Sequence, residues 1–209
     1  MRVSKQKAAE HREQIVRAAT RLFREQGFSA TGVDSITRHA GLTHGAVYSQ
    51  FGSKEAIAIE SVRSALEATK RVWHQIAANR GRGKVLPAIV GSYLSPSHRD
   101  NPGSGCLVAA LGADISRQPK SVRDAFTQEF KKTLEFLMEL VADDDSSMSR
   151  EEALTVFASM AGALMLSRAV TDEALSECIL HAMARSIETR DESRRRTQAR
   201  RLLRKENRR

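Results

Sequence analysis

Polar side chains that can donate hydrogen bonds are concentrated between residues 43 and 54. They include His44, Tyr48, Gln50 and Lys54. An imidazole can donate to an acceptor on guanine or adenine in the major groove, whereas hydroxyl, amide and ammonium groups suit phosphate oxygens. These residue types therefore suit nucleic acid, provided that the local fold presents them on one surface.

Two short segments with helical spacing surround a tight break in this stretch. Their apolar residues share helical faces: Val33, Ile36 and Ala40 in the first segment, Val47 and Phe51 in the second. Between them, Gly41 can take the positive φ of a sharp turn, and the hydroxyl of Thr43 can cap the second helix. Two helices joined by a short glycine-containing turn predict a helix-turn-helix, whose second helix enters the major groove of DNA.

The residues around this turn also follow a known pattern. The matching positions are Ala40, Gly41, Thr43, Gly45, Tyr48, Phe51, Ser53, Lys54 and Glu55, and upstream Ala19, Phe23, Gly27, Phe28 and Thr31. On these residues, roughly 10 to 60, the chain resembles the tetracycline-repressor (TetR) family, with Leu42 for its valine and Gln50 where it often has histidine. The resemblance implies an all-α fold, with an N-terminal three-helix helix-turn-helix DNA-binding domain and a helical ligand-binding and dimerisation domain.

The start of the second helix is where side chains reach base edges, so we expect base contacts from His44, Gly45 and Ala46. The resemblance places sequence reading at the same positions. Phosphate contacts, which set register rather than sequence preference, are expected from six further residues. They are Thr31, Thr43, Tyr48, Ser49, Gln50 and Lys54. Three alternatives stay open, namely an exposed His44 without a role, a core position for Tyr48 and an ordinary solvated Lys54.

Positive charge is concentrated at the two ends of the chain, whose net charge is +9. Lysine and arginine outnumber acidic residues by nine to four in residues 1–54 and by ten to four in residues 188–209. Residues 55–187 carry 15 against 17. This distribution favours a nucleic-acid-binding head on a near-neutral body over an evenly basic surface.

Composition also bounds the class of protein. No run of 18 apolar residues and no apolar leader is present, so neither a membrane span nor a secretory signal is expected. Two cysteines fit a reducing cytoplasm, and no cofactor motif appears. The aspartates at 143–145 suggest a solvated turn, and the spacing of a calcium loop is lacking for a metal site.

Three segments are expected along the chain: a DNA-binding domain over 1–54, a helical effector-binding and dimerisation domain over 55–187, and a basic, disordered tail over 188–209. Residues 95–105 are rich in proline, glycine and asparagine and predict a loop. Helices over about 149–170, which begins with a Ser149–Glu152 capping box, and over 175–187 are expected to pair with their mates in a homodimer.

The resemblance further implies that the body binds a small effector. Without the resemblance, apolar side chains at this helical spacing would be interpreted as plain core. The candidate lining is Trp73, Ile76, Tyr93, Leu107, Leu111, Phe126, Phe130 and Met160. Its apolar character favours a hydrophobic or aromatic, and optionally cationic, molecule. The function implied is a transcriptional repressor that is released from a palindromic operator by this effector, and an activator of the same fold is an alternative.

Cys106 follows a glycine-rich loop and opens a helix, whose partial positive charge favours a reactive thiolate. An accessible redox sensor, a packing residue and the nucleophile of a thiol enzyme with His98 as base are the alternatives, although no third group orients such a base. Cys178 lies on an apolar helical stripe and is expected to be buried and inert.

Overall fold

The computed structural model describes residues 5–78, 80–81, 83–142 and 147–206, and the regular elements in these ranges are helical. They are α1 (Lys5–Ala30), α2 (Val33–Ala40), α3 (His44–Phe51), α4 (Lys54–Ala78), α5 (Val85–Tyr93), α6 (Pro96–Asp100), α7 (Leu107–Ile115), α8 (Lys120–Val141), α9 (Arg150–Ala169) and α10 (Glu173–Glu206). The predicted all-α class is confirmed. The three aspartates at 143–145 lie outside the described residues.

The chain divides into two compact units. The first comprises the residues up to Thr69 together with Asn101–Lys131, and the second comprises Lys70–Asp100 together with the residues from Lys132 onward. The first unit is larger than the segment 1–54 predicted from the sequence, because α7 and the 3-10 turn Pro102–Ser104 both pack on α1.

The core of the first unit is one apolar cluster contributed by six helices, α1 to α4, α7 and α8. Its most buried members are Ile15, Ala19, Leu22 and Phe23 of α1, Ile36 of α2, Val47 of α3, Ile57, Val62 and Leu66 of α4, Leu107 of α7 and Val122 of α8. The ring of Phe28 lies 4.7 Å from that of Phe23, between centroids. The cluster explains the apolar spacing of the sequence, since each of these helices turns its apolar face towards it.

The second unit is built on the antiparallel pair α9 and α10, with α5 against α10 and α6 against α9. The predicted capping box is confirmed. The Ser149 hydroxyl accepts from the N–H of Glu152 at 3.2 Å, and the Glu152 carboxylate accepts from the N–H of Ser149 at 2.7 Å. Both groups satisfy backbone donors that the first turn of a helix leaves unpaired.

The expectation of a loop over residues 95–105 is corrected. Most of these residues form α6 and the 3-10 turn. The Arg168 side chain donates to the carbonyl oxygens of His98, at 2.7 Å, and Arg99, at 2.9 Å, which a short helix cannot pair internally. On the surface, the hydrogen bond from Arg99 holds the pKa of the Asp100 carboxyl below its ordinary value.

The expectation of a disordered tail from residue 188 is wrong, because α10 continues to Glu206. Asp191, whose side chain is 4% exposed, pairs with Arg194 and Arg195 on the next turn. Arg194 and Gln198 also donate to the carbonyl of Ser147, at 2.6 and 3.0 Å. Long-range polar contacts thus order a segment that has too few apolar residues to suggest packing. Residues 207–209 lie outside the described ranges.

None of the described helices combines the length and the apolar character needed to cross a membrane.

Candidate nucleic-acid interface

The turn between α2 and α3 has the predicted geometry. Gly41 adopts a left-handed φ of 66°, and its N–H donates to the carbonyl of Arg38 at 3.2 Å. The Thr43 hydroxyl accepts from the N–H of Ala46 at 3.3 Å and caps α3. The turn therefore sets the direction of α3 by bonds between residues that are close in sequence.

The two faces of α3 differ in environment. Val47 is buried in the core cluster, and Phe51 packs against that cluster. His44, Gly45 and Tyr48 lie on the exposed face. A short helix is thus mounted on an apolar base and presents polar groups to solvent, as a reading helix requires.

His44 is half exposed, and its ring has two neighbours. The ring stacks on that of Tyr48, with 5.5 Å between centroids, and Nε2 contacts the Asp34 carboxylate on α2. Sequence reasoning missed Asp34. The one available signal was an acidic side chain within a helix-turn-helix, where phosphates would repel it.

Among the predicted phosphate contacts, three hydroxyls and one amide lie at the surface. Tyr48 is 51% exposed, Thr43 and Ser49 are exposed, and Gln50 is half buried. The Ser49 hydroxyl donates to the carbonyl of Ala46 at 2.9 Å. Tyr48 lies on the exposed face of α3, and Thr43, Ser49 and Gln50 lie beside it.

Thr31 and Lys54 donate hydrogen bonds to backbone carbonyls within the first unit. Thr31 is fully buried, and its hydroxyl donates to the carbonyl of Gly27 at 2.8 Å, so the predicted phosphate contact of this side chain is wrong. Lys54 is half buried and donates to the carbonyl of Phe28. Both acceptors lie at the end of α1, where helical carbonyls lack internal partners.

Arg12 of α1 stabilises the far end of α3, and sequence reasoning missed it. One guanidinium nitrogen donates to the carbonyl of Gln50 at 3.0 Å, and another lies 3.5 Å from the Glu60 carboxylate. The guanidinium also lies over the ring of Phe51, 4.2 Å from its centroid. A separation of 38 residues gives no sequence signal for this contact.

The residues 101–117 anchor α1 from outside the predicted DNA-binding segment. The Asp114 carboxylate accepts from the N–H of Phe28 at 2.8 Å, and Arg24 donates to the carbonyl of Gly105 at 2.9 Å. At Gly103, a Cβ atom would lie 2.2 Å from the Glu25 carboxylate, so a larger residue here would force the Glu25 side chain to move.

The cysteine expectations are reversed. Cys106 is at the N-cap of α7 but only 3% exposed, because the preceding turn packs on α1, whereas Cys178 is exposed on α10. His98 uses Nδ1 on the carbonyl of Tyr93, at 2.7 Å, and its ring packs edge-on against Tyr93. The expected accessibility of Cys106 is therefore wrong, and no observation supports a thiol nucleophile there.

The eight predicted effector-pocket residues are divided between the units. The first unit holds four: Leu107 and Leu111 lie in its core cluster, Phe126 packs against that cluster, and Phe130 stacks on Phe126 with 5.5 Å between centroids. The other four are Trp73, Ile76, Tyr93 and Met160 of the second unit, in which the ring of Trp73 lies edge-on to Phe157 at 5.9 Å.

An open cavity of about 820 Å³ lies in the second unit, beside the first half of α9. Its apolar lining is Leu86, Met148, Val156, Met183 and Ile187, and its polar rim includes Glu151, Ser159 and Arg190. None of the eight predicted residues is among its described lining residues. Within the described ranges, no group of three or more His, Cys, Asp or Glu side chains is arranged to hold a metal ion.

Comparison with known proteins gives consistent matches. Residues 15–60 match the family model described as bacterial regulatory proteins, tetR family. The chain is 30% identical over 160 residues to the HTH-type transcriptional regulator LmrA of Bacillus subtilis. This alignment covers 75% of this chain and 85% of LmrA.

Solved structures of the same family agree with the fold. A TetR-family transcriptional regulator from Agrobacterium tumefaciens matches with a TM-score of 0.72 and 18% identity, over 88% of this chain and 98% of that chain. A TetR transcriptional regulator from Chloroflexus aurantiacus matches with a TM-score of 0.70 and 23% identity, over 87% and 96%. At these identities, the likeness shows the fold alone.

The contacts of Arg12 generate a prediction. Arg12→Ala removes a hydrogen bond to a helix-end carbonyl and a cation–π contact, and should destabilise the chain by about 1–2 kcal/mol. Arg17→Ala removes the same charge from an exposed pair with Glu13 and should cost under about 0.5 kcal/mol. Urea unfolding measures both. Equal losses for the two variants would mean that Arg12 does not support α3.

Proposed function

The chain belongs to the TetR family of helix-turn-helix transcriptional regulators, and we propose that it is a repressor released from a palindromic operator when a small molecule binds. The observation that carries DNA reading is the exposed face of α3, which presents His44 and Tyr48 above a buried Val47. We retain base contact for His44, Gly45 and Ala46, and phosphate contact for the hydroxyl of Tyr48. An activator would use the same surface, and no observation favours it.

Base and phosphate contacts respond differently to substitution, which tests the proposal. His44→Ala should change the preferred base at one operator position, because base contacts carry specificity. Tyr48→Phe, which loses only a hydroxyl, should weaken binding by a similar factor on all sequences. Selection from randomised duplexes, followed by gel shifts, measures both effects. An unchanged preference in His44→Ala would remove this residue from base reading.

One helix of eight residues contacts few bases, so specific binding needs the recognition helices of two protomers. A two-fold dimer would present them to a palindromic operator. Regulators of this family form homodimers, and two heads should meet half-sites about 34–36 Å apart, or somewhat more. We propose that α9 and α10 form the interface. Large apolar side chains are exposed there without a partner in the single chain: Leu154, Met165, Leu166 and Leu175.

The interface prediction uses the protein's own thiol. Leu166→Glu should leave a monomer at micromolar concentration, because a charge would be buried without a partner. Cys178, exposed one turn from Leu175, should then be alkylated faster than in the dimer, whereas buried Cys106 reacts slowly in both. Light scattering and thiol labelling measure this.

Val72→Glu, at an equally exposed apolar position of α4, is the matched control and should stay dimeric. A wild-type monomer at micromolar concentration, or a dimeric Leu166→Glu variant, would contradict the interface.

For the effector we propose contact with the four candidates of the second unit, Trp73, Ile76, Tyr93 and Met160. Three of them are buried, Ile76 is half buried, and all four are apolar or aromatic, which suits a hydrophobic or aromatic molecule. Release requires that the effector bind more tightly to the chain in its DNA-free form, since equal affinity for both forms shifts nothing.

Trp73 is the one tryptophan of the sequence, so its fluorescence reports on this region. A hydrophobic aromatic cation such as tetraphenylphosphonium should quench it over the same concentrations that release the selected DNA. Ser159→Phe narrows the open cavity instead and should leave the quenching unchanged. If a compound quenches Trp73 fluorescence but leaves the DNA affinity unchanged, binding at this site does not cause the release of DNA.

A further inference from the structure

We propose that Asp34 determines operator specificity together with His44. The pair forms one reading unit that selects a base with an exocyclic amino group, cytosine or adenine, at one operator position. This inference rests on the proposed reading of DNA by α3. It adds a specificity residue on α2, outside the recognition helix.

The contact joins two exposed groups across the turn. Asp34 lies in the first turn of α2, and its carboxylate meets Nε2 of His44, the first residue of α3. The side chains are 78% and 50% exposed. The N-cap of α2 is Gly32, and no side chain caps this helix. The Asp34 carboxylate therefore does not fold back onto its own helix but reaches towards the reading helix.

Hydrogen-bond accounting fixes what the pair offers to a base. An ionised carboxylate only accepts, so Nε2 of His44 carries the hydrogen. In the neutral imidazole, Nδ1 is then an acceptor, and the second oxygen of Asp34 is also an acceptor. This is opposite to the donor role that the sequence suggests for His44.

In the major groove, cytosine N4 and adenine N6 are donors, whereas guanine N7 and O6 and thymine O4 are acceptors. A reading unit made of acceptors therefore favours cytosine or adenine at the base that it faces. The stacking of His44 on Tyr48 restricts the imidazole orientation, which such discrimination requires.

A purely structural clamp explains the contact less well. The turn is already held by the Thr43 cap and by the N–H of Leu42, which donates to the carbonyl of Thr37 at 3.1 Å. An exposed carboxylate beside phosphates also costs binding energy unless a donor on the DNA compensates it. Selection of an amino group would supply that donor.

The test is a randomised-site selection at pH 8, because a higher pH favours the neutral form of an imidazole. Wild type should prefer cytosine or adenine at one position by about tenfold, and Asp34→Asn, whose amide can donate, should reduce this to about threefold or less. Asp34→Glu, which keeps an acceptor, should retain the preference for an amino group. Glu13→Gln removes the same charge from an exposed pair on α1, and should leave base preference unchanged.

A double variant tests whether the two residues act as one unit. In a His44→Ala background, Asp34→Asn should change the preference no further. Additive effects, or a wild-type preference retained by Asp34→Asn, would overturn the inference while leaving DNA reading intact. Failure of the wild-type protein to enrich any sequence would overturn the proposed function as well.

Discussion

Hydrogen bonds to the backbone of one residue, Phe28, join three helices of the first unit. Its N–H donates to the Asp114 carboxylate of α7, and its carbonyl accepts from Lys54 at the start of α4. Gly27, with a φ of 84°, makes the bend that exposes both groups to these partners, while the ring packs on Phe23. Because buried backbone groups must be paired, three helices meet at this one residue.

Hydrogen bonds also connect α7 and the turn before it to α3 through α1. Arg24 and Glu25 of α1 lie against the turn before α7, and α1 in turn holds the end of α3 through Arg12 and the carbonyl of Gln50. A displacement of α7 relative to α1 would therefore break two long-range hydrogen bonds, Arg24 to Gly105 and Phe28 to Asp114. The head is better described as a unit that includes residues 101–131 than as the first 54 residues alone.

Exposure separates the tasks of the helices. On α3, polar side chains are exposed above an apolar base, which suits a hydrated, charged partner such as DNA. On α9 and α10 the exposed side chains include four large apolar ones, with Leu166 at 52%, which suits a second protein surface. At the C-terminal part of α10, Asp191 is buried among arginines, so part of the basic charge serves folding.

The sequence by itself determined the features that short-range bonds create. The Gly41 turn, the Thr43 cap and the capping box at Ser149 each join residues within four positions, so their residue types suffice. Tertiary structure alone decided which thiol is buried and which acidic group meets His44. Cys106 is buried because the turn before α7 packs on α1, and Asp34 meets His44 because the turn brings the starts of α2 and α3 together. These outcomes depend on how the helices pack, and composition carries no record of such pairings.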